Sequence, residues 1–340
     1  MAYTRHMLAN LLPQPGAGLV AALALVLCMS GCASRGPSAV MVAPAATPTP
    51  SLSANTQKLK LVTYNIWGLP LWMTGAKPGR YAKIARELER LDADVVLLQE
   101  AWTSQARKSA PADGRWFIAR AAGQHTFFQQ SGLVTLSKLP IIGGKFYPFS
   151  HAEFPDRLVN KGALKVSVEL AGGRVLNIWN VHLQDGGSAE VRRSQVRQLI
   201  SWVQEAEDGQ VADVIGGDFN CTPESAEYEE LACWLGPSML QAAGGLPFVT
   251  WDGLSAKPGA GRTLDYIFAR GRTAHPVPEA LPCVAFTAPT SAQRLSDHFG
   301  IEAEMNLNLA PNVTAIGRPH FYGPPSPVIA ARGNVYVDGQ

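Results

Sequence analysis

A series of polar side chains recurs where predicted strands begin or end along residues 58–306. The series combines carboxylates, amides and imidazoles, which are the groups that hold divalent cations and move protons near neutral pH. Each position alone is unspecific, because a strand-end Asp or Asn is usually a turn or cap residue. The order of the whole series is what discriminates. It predicts one active site built from Asn65, Glu100, His182, Asp218, Asn220, Asp265, Asp297 and His298.

The elements that must position these side chains show two hydrophobic periods. Apolar positions at helical spacing predict helices over 80–91, 188–204 and 225–235. The dipeptide Gly172-Gly173 predicts a tight turn between two neighbouring strands. Alternating or continuous apolar runs predict strands at 58–67, 94–99, 132–137, 162–170, 174–182, 211–215, 263–269, 283–287 and 299–305.

This order of elements predicts the fold class. Consecutive strands joined by short turns favour antiparallel pairing, and the interposed helices must cover apolar sheet faces. We therefore expect an α/β (α+β) sandwich over residues 58–306, with two packed, mostly antiparallel β-sheets flanked by helices. Side chains at one rim of such a scaffold converge on a single cleft. Residues 307–340 are rich in Pro and Gly, so we expect an extended or disordered tail there.

The ordered series resembles the endonuclease/exonuclease/phosphatase superfamily, and it covers essentially the whole predicted domain. The motifs are Gln99-Glu100, Asn180-Val181-His182, Gly217-Asp218-Phe219-Asn220, Asp265-Tyr266 and Ser296-Asp297-His298. Other segments resemble neutral sphingomyelinases and related phospholipase C-type enzymes: Tyr64-Asn65-Ile66-Trp67-Gly68-Leu69-Pro70, Ser131-Gly132-Leu133, Lys161-Gly162 and His182-Leu183-Gln184. The chain departs from the pattern at Phe299, where many relatives carry an acidic or small polar residue. The resemblance implies a DNase-I-like four-layer architecture and metal-dependent hydrolysis of a phosphate ester.

The resemblance also implies a metal site and a proton acceptor. A divalent cation would offset the charge of a phosphodiester, and we expect Mg²⁺, with Mn²⁺ or another divalent cation as the alternative. Glu100 would be the principal ligand, supported by Asn65 and Asp297. Asp297 as a structural turn residue is the alternative. His298 would activate the attacking water as general base, and Asp265 would orient its imidazole.

The remaining residues are assigned to the water and the phosphate. Asp218 would position the water or a metal-bound group. Asn220 and His182 would donate hydrogen bonds to phosphoryl oxygens as negative charge builds up. Lys161 would contact the substrate phosphate, although a solvated lysine at a strand end is an equal alternative.

The N-terminus predicts an exported protein that is held on a lipid anchor. Residues 19–28 form an apolar run that is too short for a comfortable membrane span and fits a signal peptide. The segment Met29-Ser30-Gly31-Cys32 resembles a bacterial lipobox. We expect residues 1–31 to be removed and Cys32 to be lipidated, with a plain secretory signal as the alternative. Residues 32–57 are predicted to be a flexible tether between this anchor and the domain. The lipid anchor would place the domain in the bacterial cell envelope.

Three of the five cysteines, Cys221, Cys233 and Cys283, would remain after export and lipidation. An oxidising compartment permits a disulfide between Cys221 and Cys233, but buried free thiols are the default and the sequence leaves both open.

Three classes of function remain possible. A phospholipase C-type enzyme acting on a lipid phosphodiester fits the anchor and the apolar segment Leu69-Pro70-Leu71-Trp72-Met73. An exported nuclease would need a groove of Lys and Arg, and the sequence shows no such density. The net charge of +2 does not suggest a strongly basic nucleic-acid binder, but a local groove can be basic in a near-neutral protein. A non-catalytic lipoprotein that binds a partner would have no reason to keep the whole residue series. The sequence leaves the oligomeric state open.

Overall fold

The computed structural model describes residues 56–70, 73, 79–111, 114–122, 130–206, 210–242, 249–254, 261–272, 274–278, 283–287, 293–309 and 334–338. All of them belong to one compact unit within Met41–Gln340. The predicted signal peptide, the lipidation site Cys32 and nearly all of the predicted tether lie outside the described residues. The described helices include none that is long and apolar enough to cross a membrane.

The first sheet has eight strands in the order β10-β12-β1-β2-β4-β3-β13, and β11 also pairs with β12. Its central strands are hydrophobic because both of their faces are covered. The strands are β1 (Thr56–Asn65), β2 (Val95–Gln99), β3 (Phe117–Ala122), β4 (Val134–Ser137), β10 (Ala274–Pro278), β11 (Cys283–Ala285), β12 (Gly300–Leu309) and β13 (Asn334–Asp338).

The second sheet has five strands in the order β5-β6-β7-β8-β9. Three of its four pairings are antiparallel, and β7 pairs with β8 in parallel. The strands are β5 (Ile141–Pro148), β6 (Gly162–Glu169), β7 (Val175–His182), β8 (Ala212–Asp218) and β9 (Asp265–Gly271). The turn predicted at Gly172-Gly173 joins β6 to β7.

Alternation along β1 explains the layers, because successive side chains of a strand point to opposite faces. Leu59 and Leu61 belong to the core between the two sheets, whereas Val62 and Tyr64 pack with the helix α1 (Arg80–Leu91). The outer face of the second sheet is covered by α2 (Ala189–Glu205) and α3 (Ala226–Leu235), and α4 (Met239–Ala242) follows. Helix, sheet, sheet and helix thus form four layers, which confirms the predicted sandwich.

Several elements differ from the sequence prediction. β1 begins at Thr56, two residues before the expected start of the domain, and β12 continues to Leu309. The strands β3, β5, β10 and β13 were not predicted. β10 contains two prolines, which a strand tolerates at the edge of a sheet, where β10 lies. β13 lies within the expected extended tail and pairs with β3, while residues 310–333 lie outside the described part of the chain.

Candidate active site

Four strand ends bring most of the predicted site residues to one rim. β1 and β2 are parallel, with Asn65 opposite Gln99, so Asn65 and the following Glu100 emerge together. β7 and β8 are also parallel, with His182 opposite Asp218. The antiparallel strand β9 begins at the same rim, where Asp265 lies opposite Asp218. Two parallel strands end at the same edge of their sheet. This register explains why Asn65 and Glu100 meet in the first sheet, and His182 and Asp218 in the second.

A buried hydrogen bond in the site joins His298 to Asp265. Nδ1 of His298 donates to Oδ2 of Asp265 at 2.9 Å, and both side chains are buried. The other ring nitrogen, Nε2, lies 3.6 Å from Oδ2 of Asp218. Burial alone would lower the pKa of His298, but the charges of Asp265 and Asp218 outweigh burial and raise the pKa well above its usual range. The pair has the geometry of a base held by a carboxylate.

Asn65 connects the two carboxylates at the centre of the site. Its Oδ1 accepts the backbone N–H of Trp67 at 2.9 Å, which fixes the orientation of the amide. Its Nδ2 then donates to Oε1 of Glu100 at 3.2 Å and to Oδ2 of Asp218 at 2.9 Å. In this arrangement Asn65 is a donor to the carboxylates, and through Glu100 it can support the predicted metal site.

Burial raises the pKa of both carboxyl groups that Asn65 contacts. The pKa of Glu100 is raised to about 7 by burial and by the charge of Asp297. The pKa of Asp218 is raised to about 7 by burial and by the charge of Asp265. Negative charges are therefore crowded beyond what the surrounding protein neutralises. A divalent cation would relieve this, and carboxylate oxygens are the hard donors that Mg²⁺ prefers.

Asp218, Asp265 and His298 form a second group that could hold a cation, since one potential ligand atom of each lies within 4.8 Å of the others. The hydrogen bond between His298 and Asp265 already uses one atom of each residue. We therefore assign these three residues to proton handling, and Glu100 with Asp297 to the metal.

Asp297 is held by Trp251 and lies beside Ser296. Nε1 of Trp251 donates to its Oδ2 at 3.2 Å, and Oγ of Ser296 lies 3.2 Å from its Oδ1. Ser296 Oγ also lies 2.7 Å from the backbone oxygen of Asn65. The sequence identified Ser296 only as part of the Ser-Asp-His motif, and Trp251 carried no signal. Asp297 thus has structural contacts and lies close enough to raise the pKa of Glu100.

His182 is buried, and neither of its ring nitrogens has a hydrogen-bond partner among the described residues. Its Nε2 lies 3.7 Å from Oδ2 of Asp218, and the ring of Trp102 is 6.2 Å away between centroids. Burial, with the charges of Lys161 and His298, lowers the pKa of His182 well below its usual range. A neutral imidazole with an unused N–H is suited to donate to a phosphoryl oxygen.

Lys161 and Asn220 meet at a single backbone oxygen. Nζ of Lys161 and Nδ2 of Asn220 each donate to the carbonyl of Leu183 at 3.0 Å. Lys161 also pairs with Asp156 at 2.8 Å, and it is only 5% exposed. The alternative of a solvated lysine is therefore wrong, because the side chain is buried and ion-paired. Sequence reasoning missed Asp156, since nothing in the sequence marks a carboxylate five residues before a lysine as its partner.

The comparison with known proteins assigns the family. Residues 62–298, which include all the site residues named above, match the sequence profile of the endonuclease/exonuclease/phosphatase family. The chain belongs to this family. A Drosophila melanogaster protein named as a candidate neutral sphingomyelinase is 26% identical over 280 residues, covering 74% of this chain and 61% of that protein. The chain thus spans less than two thirds of the length of this relative.

A second relative and two solved structures extend the comparison. An inositol phosphosphingolipids phospholipase C of Schizosaccharomyces pombe is 25% identical over 304 residues, covering 75% of this chain and 70% of that protein. A Streptomyces griseocarneus sphingomyelinase C shares the fold, with 22% identity, a TM-score of 0.54 and coverage of 73% and 99%. TDP2 of D. rerio, bound to a single-strand DNA product, also shares it, with 19% identity, a TM-score of 0.59 and coverage of 73% and 98%.

Proposed function

We propose that the chain is a metal-dependent phosphodiesterase of the phospholipase C type, which hydrolyses a lipid phosphodiester by attack of an activated water. The observation that carries the proposal is the buried pair of His298 and Asp265, whose free imidazole nitrogen faces Asp218. This pair lies at the rim that also presents Glu100 and His182, within a chain of the endonuclease/exonuclease/phosphatase family.

His298 is the proposed general base. Its Nδ1 is engaged by Asp265, so Nε2 is the atom that would take the proton from water. A cation held nearby by Glu100 and Asp297 would lower the raised pKa of this imidazole and favour its neutral, proton-accepting form. Asp265 holds the ring in this orientation and stabilises the imidazolium that forms, as a carboxylate does in a serine-protease triad. Asp218, 3.6 Å from Nε2, orients the water between the base and the phosphorus.

Glu100 and Asp297 would hold the divalent cation, which we propose to be Mg²⁺ or Mn²⁺. The bound cation supplies charge compensation for the phosphodiester. Asn65 holds the carboxylates of Glu100 and Asp218 in position by donating a hydrogen bond to each. His182, through its unused ring N–H, together with Asn220 and Lys161, contacts the phosphoryl oxygens.

The choice of a lipid rests on the named activities of the two relatives and on exposed apolar side chains beside the site. Phe154 and Leu158 are 53% and 43% exposed. They flank Asp156, which accepts the backbone N–H of Asp185 and pairs with Lys161. Exposed apolar residues next to a catalytic cleft favour a lipid interface over a nucleic-acid groove. Of the apolar segment 69–73 noted in the sequence, residues 71 and 72 lie outside the described residues.

We also propose that the protein is exported and anchored through lipidated Cys32 to the bacterial envelope. This rests on the apolar run and the lipobox-like segment at the N-terminus. Metabolic labelling with a fatty acid, compared with a Cys32→Ser variant, tests it. Label that persists in the variant would contradict this anchor.

The purified full chain tests the proposed function with Mg²⁺ and with chelator on sphingomyelin vesicles, lysophospholipid, bis-p-nitrophenyl phosphate and DNA. We expect chelator-sensitive release of the phosphorylated headgroup from lipid. Hydrolysis of DNA alone would exclude the lipid substrate and favour a nuclease. Absence of chelator-sensitive turnover on every ester would exclude the enzymatic function and leave a binding module.

A further inference from the structure

Arg80 is a buried arginine that the proposed mechanism does not use. It is the first residue of α1 and is 5% exposed. The N-terminus of a helix carries a partial positive charge and favours acidic side chains, so helix stability does not explain an arginine at this position. Among the described residues, no carboxylate forms an ion pair with Arg80. Its role must therefore be sought in what the guanidinium contacts.

The guanidinium binds backbone carbonyls from two distant segments. Nη1 donates to the oxygen of Ile66 at 2.8 Å and to the oxygen of Leu295 at 2.6 Å. Nη2 donates to the oxygen of Trp67 and to the hydroxyl of Tyr81. The guanidinium carbon also lies 4.4 Å from the ring centroid of Tyr81, which supports the plane of the fork.

The two segments joined by Arg80 carry the two halves of the site. Ile66 directly follows Asn65, the amide that holds Glu100 and Asp218. Leu295 directly precedes Ser296, Asp297 and His298. Arg80 and Leu295 are separated by 215 residues, and the connection therefore exists only in the folded protein. The bond from Ser296 Oγ to the Asn65 oxygen, 2.7 Å long, joins the same two segments.

We infer that Arg80 is a positioning residue for the active site: by binding the carbonyls of Ile66, Trp67 and Leu295, it fixes Asn65 relative to Asp297 and His298. The planar fork of arginine is needed, because a lysine ammonium can replace the charge but not the fixed geometry of several parallel donors. The inference rests on the proposed function, since it concerns the distance between the metal-binding and the proton-accepting halves of that site.

The test compares Arg80→Lys with Arg272→Lys in the full chain. Arg272 is another mostly buried arginine that binds a carboxylate, Asp213, at 2.7 Å and a backbone oxygen, that of Val203, at 2.6 Å. Arg272 follows the end of β9 that lies away from Asp265. Arg272→Lys therefore measures how much the loss of a mostly buried guanidinium lowers stability when the residue is distant from the site. The exposed Arg90→Ala, on the same helix as Arg80, controls for the loss of an arginine from this helix.

Hydrolysis of bis-p-nitrophenyl phosphate is measured over a range of Mg²⁺ and pH, well below each melting temperature. We expect Arg80→Lys to lower kcat about 10- to 100-fold, because small misplacements of catalytic groups have effects of this size. We also expect a higher Mg²⁺ concentration for half-maximal activity and a displaced pH profile. Arg272→Lys should lower only the melting temperature, and Arg90→Ala should change none of these quantities.

Wild-type kcat, Mg²⁺ dependence and pH profile in Arg80→Lys, whatever its melting temperature, would overturn the inference. If Arg80→Lys does not fold, Ser296→Ala removes the other bond between the two segments and carries the test with the same measurements; unchanged values there would also overturn it. Absence of activity in the wild-type chain would instead contradict the proposed function.

Discussion

His298 and Asp265 are 33 residues apart in sequence, yet Nδ1 of the imidazole lies 2.9 Å from Oδ2 of the carboxylate. Asp265 opens β9, whereas His298 precedes β12 in the other sheet. The base and the carboxylate that orients it therefore belong to different layers, and their contact depends on how the two sheets pack. Several properties of the site follow from this arrangement and can be measured.

Asp265→Asn should inactivate the protein while leaving its fold intact. The amide preserves the shape of the carboxylate but removes the charge that stabilises the imidazolium, so kcat should fall about 10²- to 10⁴-fold. Steady-state hydrolysis of bis-p-nitrophenyl phosphate measures the effect. The exposed Asp92→Asn is the control and should stay within about twofold of wild type. A near-normal kcat in Asp265→Asn would refute the role of this pair.

The stabilisation by Mg²⁺ should increase with pH. The pKa values of Glu100 and Asp218 are raised to about 7, so the folded protein retains protons that the unfolded chain has lost above about pH 4. The metal-free protein therefore becomes less stable as the pH rises from about 4 to 7. Protons also compete with the cation for the carboxylate of Glu100, the proposed metal ligand.

Thermal melts at pH 6 and pH 8, with Mg²⁺ or chelator, measure this coupling. We expect the gain in melting temperature from Mg²⁺ to be larger at pH 8, and to be largely lost in Glu100→Gln. Equal gains at both pH values would show that the protonation of Glu100 is not linked to metal binding.

Gly217→Ala should destabilise the protein by about 2–3 kcal/mol. Gly217 has φ of 153°, and a Cβ there would lie 2.0 Å from the backbone oxygen of Val181 on β7. To relieve this clash, β8 would have to move away from β7 next to Asp218. The matched change Gly143→Ala on β5 meets its nearest atom only at 4.0 Å and should be nearly neutral. Urea denaturation of both variants measures the difference. Equal midpoints for Gly217→Ala and Gly143→Ala would contradict the expected clash with Val181.

Cys233 should react with a maleimide in the native protein, whereas Cys221 should not. Both are free in the structure, but Cys221 is buried and Cys233 is exposed. Burial raises the pKa of the Cys221 thiol to about 12, which removes the reactive thiolate near neutral pH. Peptide mass spectrometry before and after denaturation identifies the labelled residues. Recovery of a Cys221–Cys233 disulfide would refute the prediction.

Phe154→Ala combined with Leu158→Ala should weaken action on lipid vesicles and spare the chemistry. Burial of these exposed side chains in a membrane interface would contribute enough for a roughly tenfold change in apparent affinity. Hydrolysis of bis-p-nitrophenyl phosphate should remain within about twofold of wild type. Trp234→Ala, a side chain 50% exposed on α3, is the control. Equal losses on both substrates would show a structural effect instead.

The sequence by itself determined the family and the four-layer sandwich, and it predicted the set of site residues. Chemically specific residues such as Glu100, Asp218 and His298 each stand where a hydrophobic pattern ends, and a strand's period of two is readable locally. The three longer helices were also predictable, because apolar positions such as those of α1 recur at helical spacing. By contrast, β10 was not predicted, because its two prolines argue against a strand unless the strand lies at a sheet edge, and the sequence does not show that position.

Only the tertiary structure decided what each side chain contacts. The amide of Asn65 is oriented by the backbone N–H of Trp67, so its Nδ2 donates to the carboxylates of Glu100 and Asp218. Lys161 is buried because Asp156 neutralises it, and Arg80 lies on a helix face yet binds a carbonyl 215 residues away. Such partners are set by the packing of distant segments and the balance of buried charge, and neither quantity is encoded in a local pattern of residues.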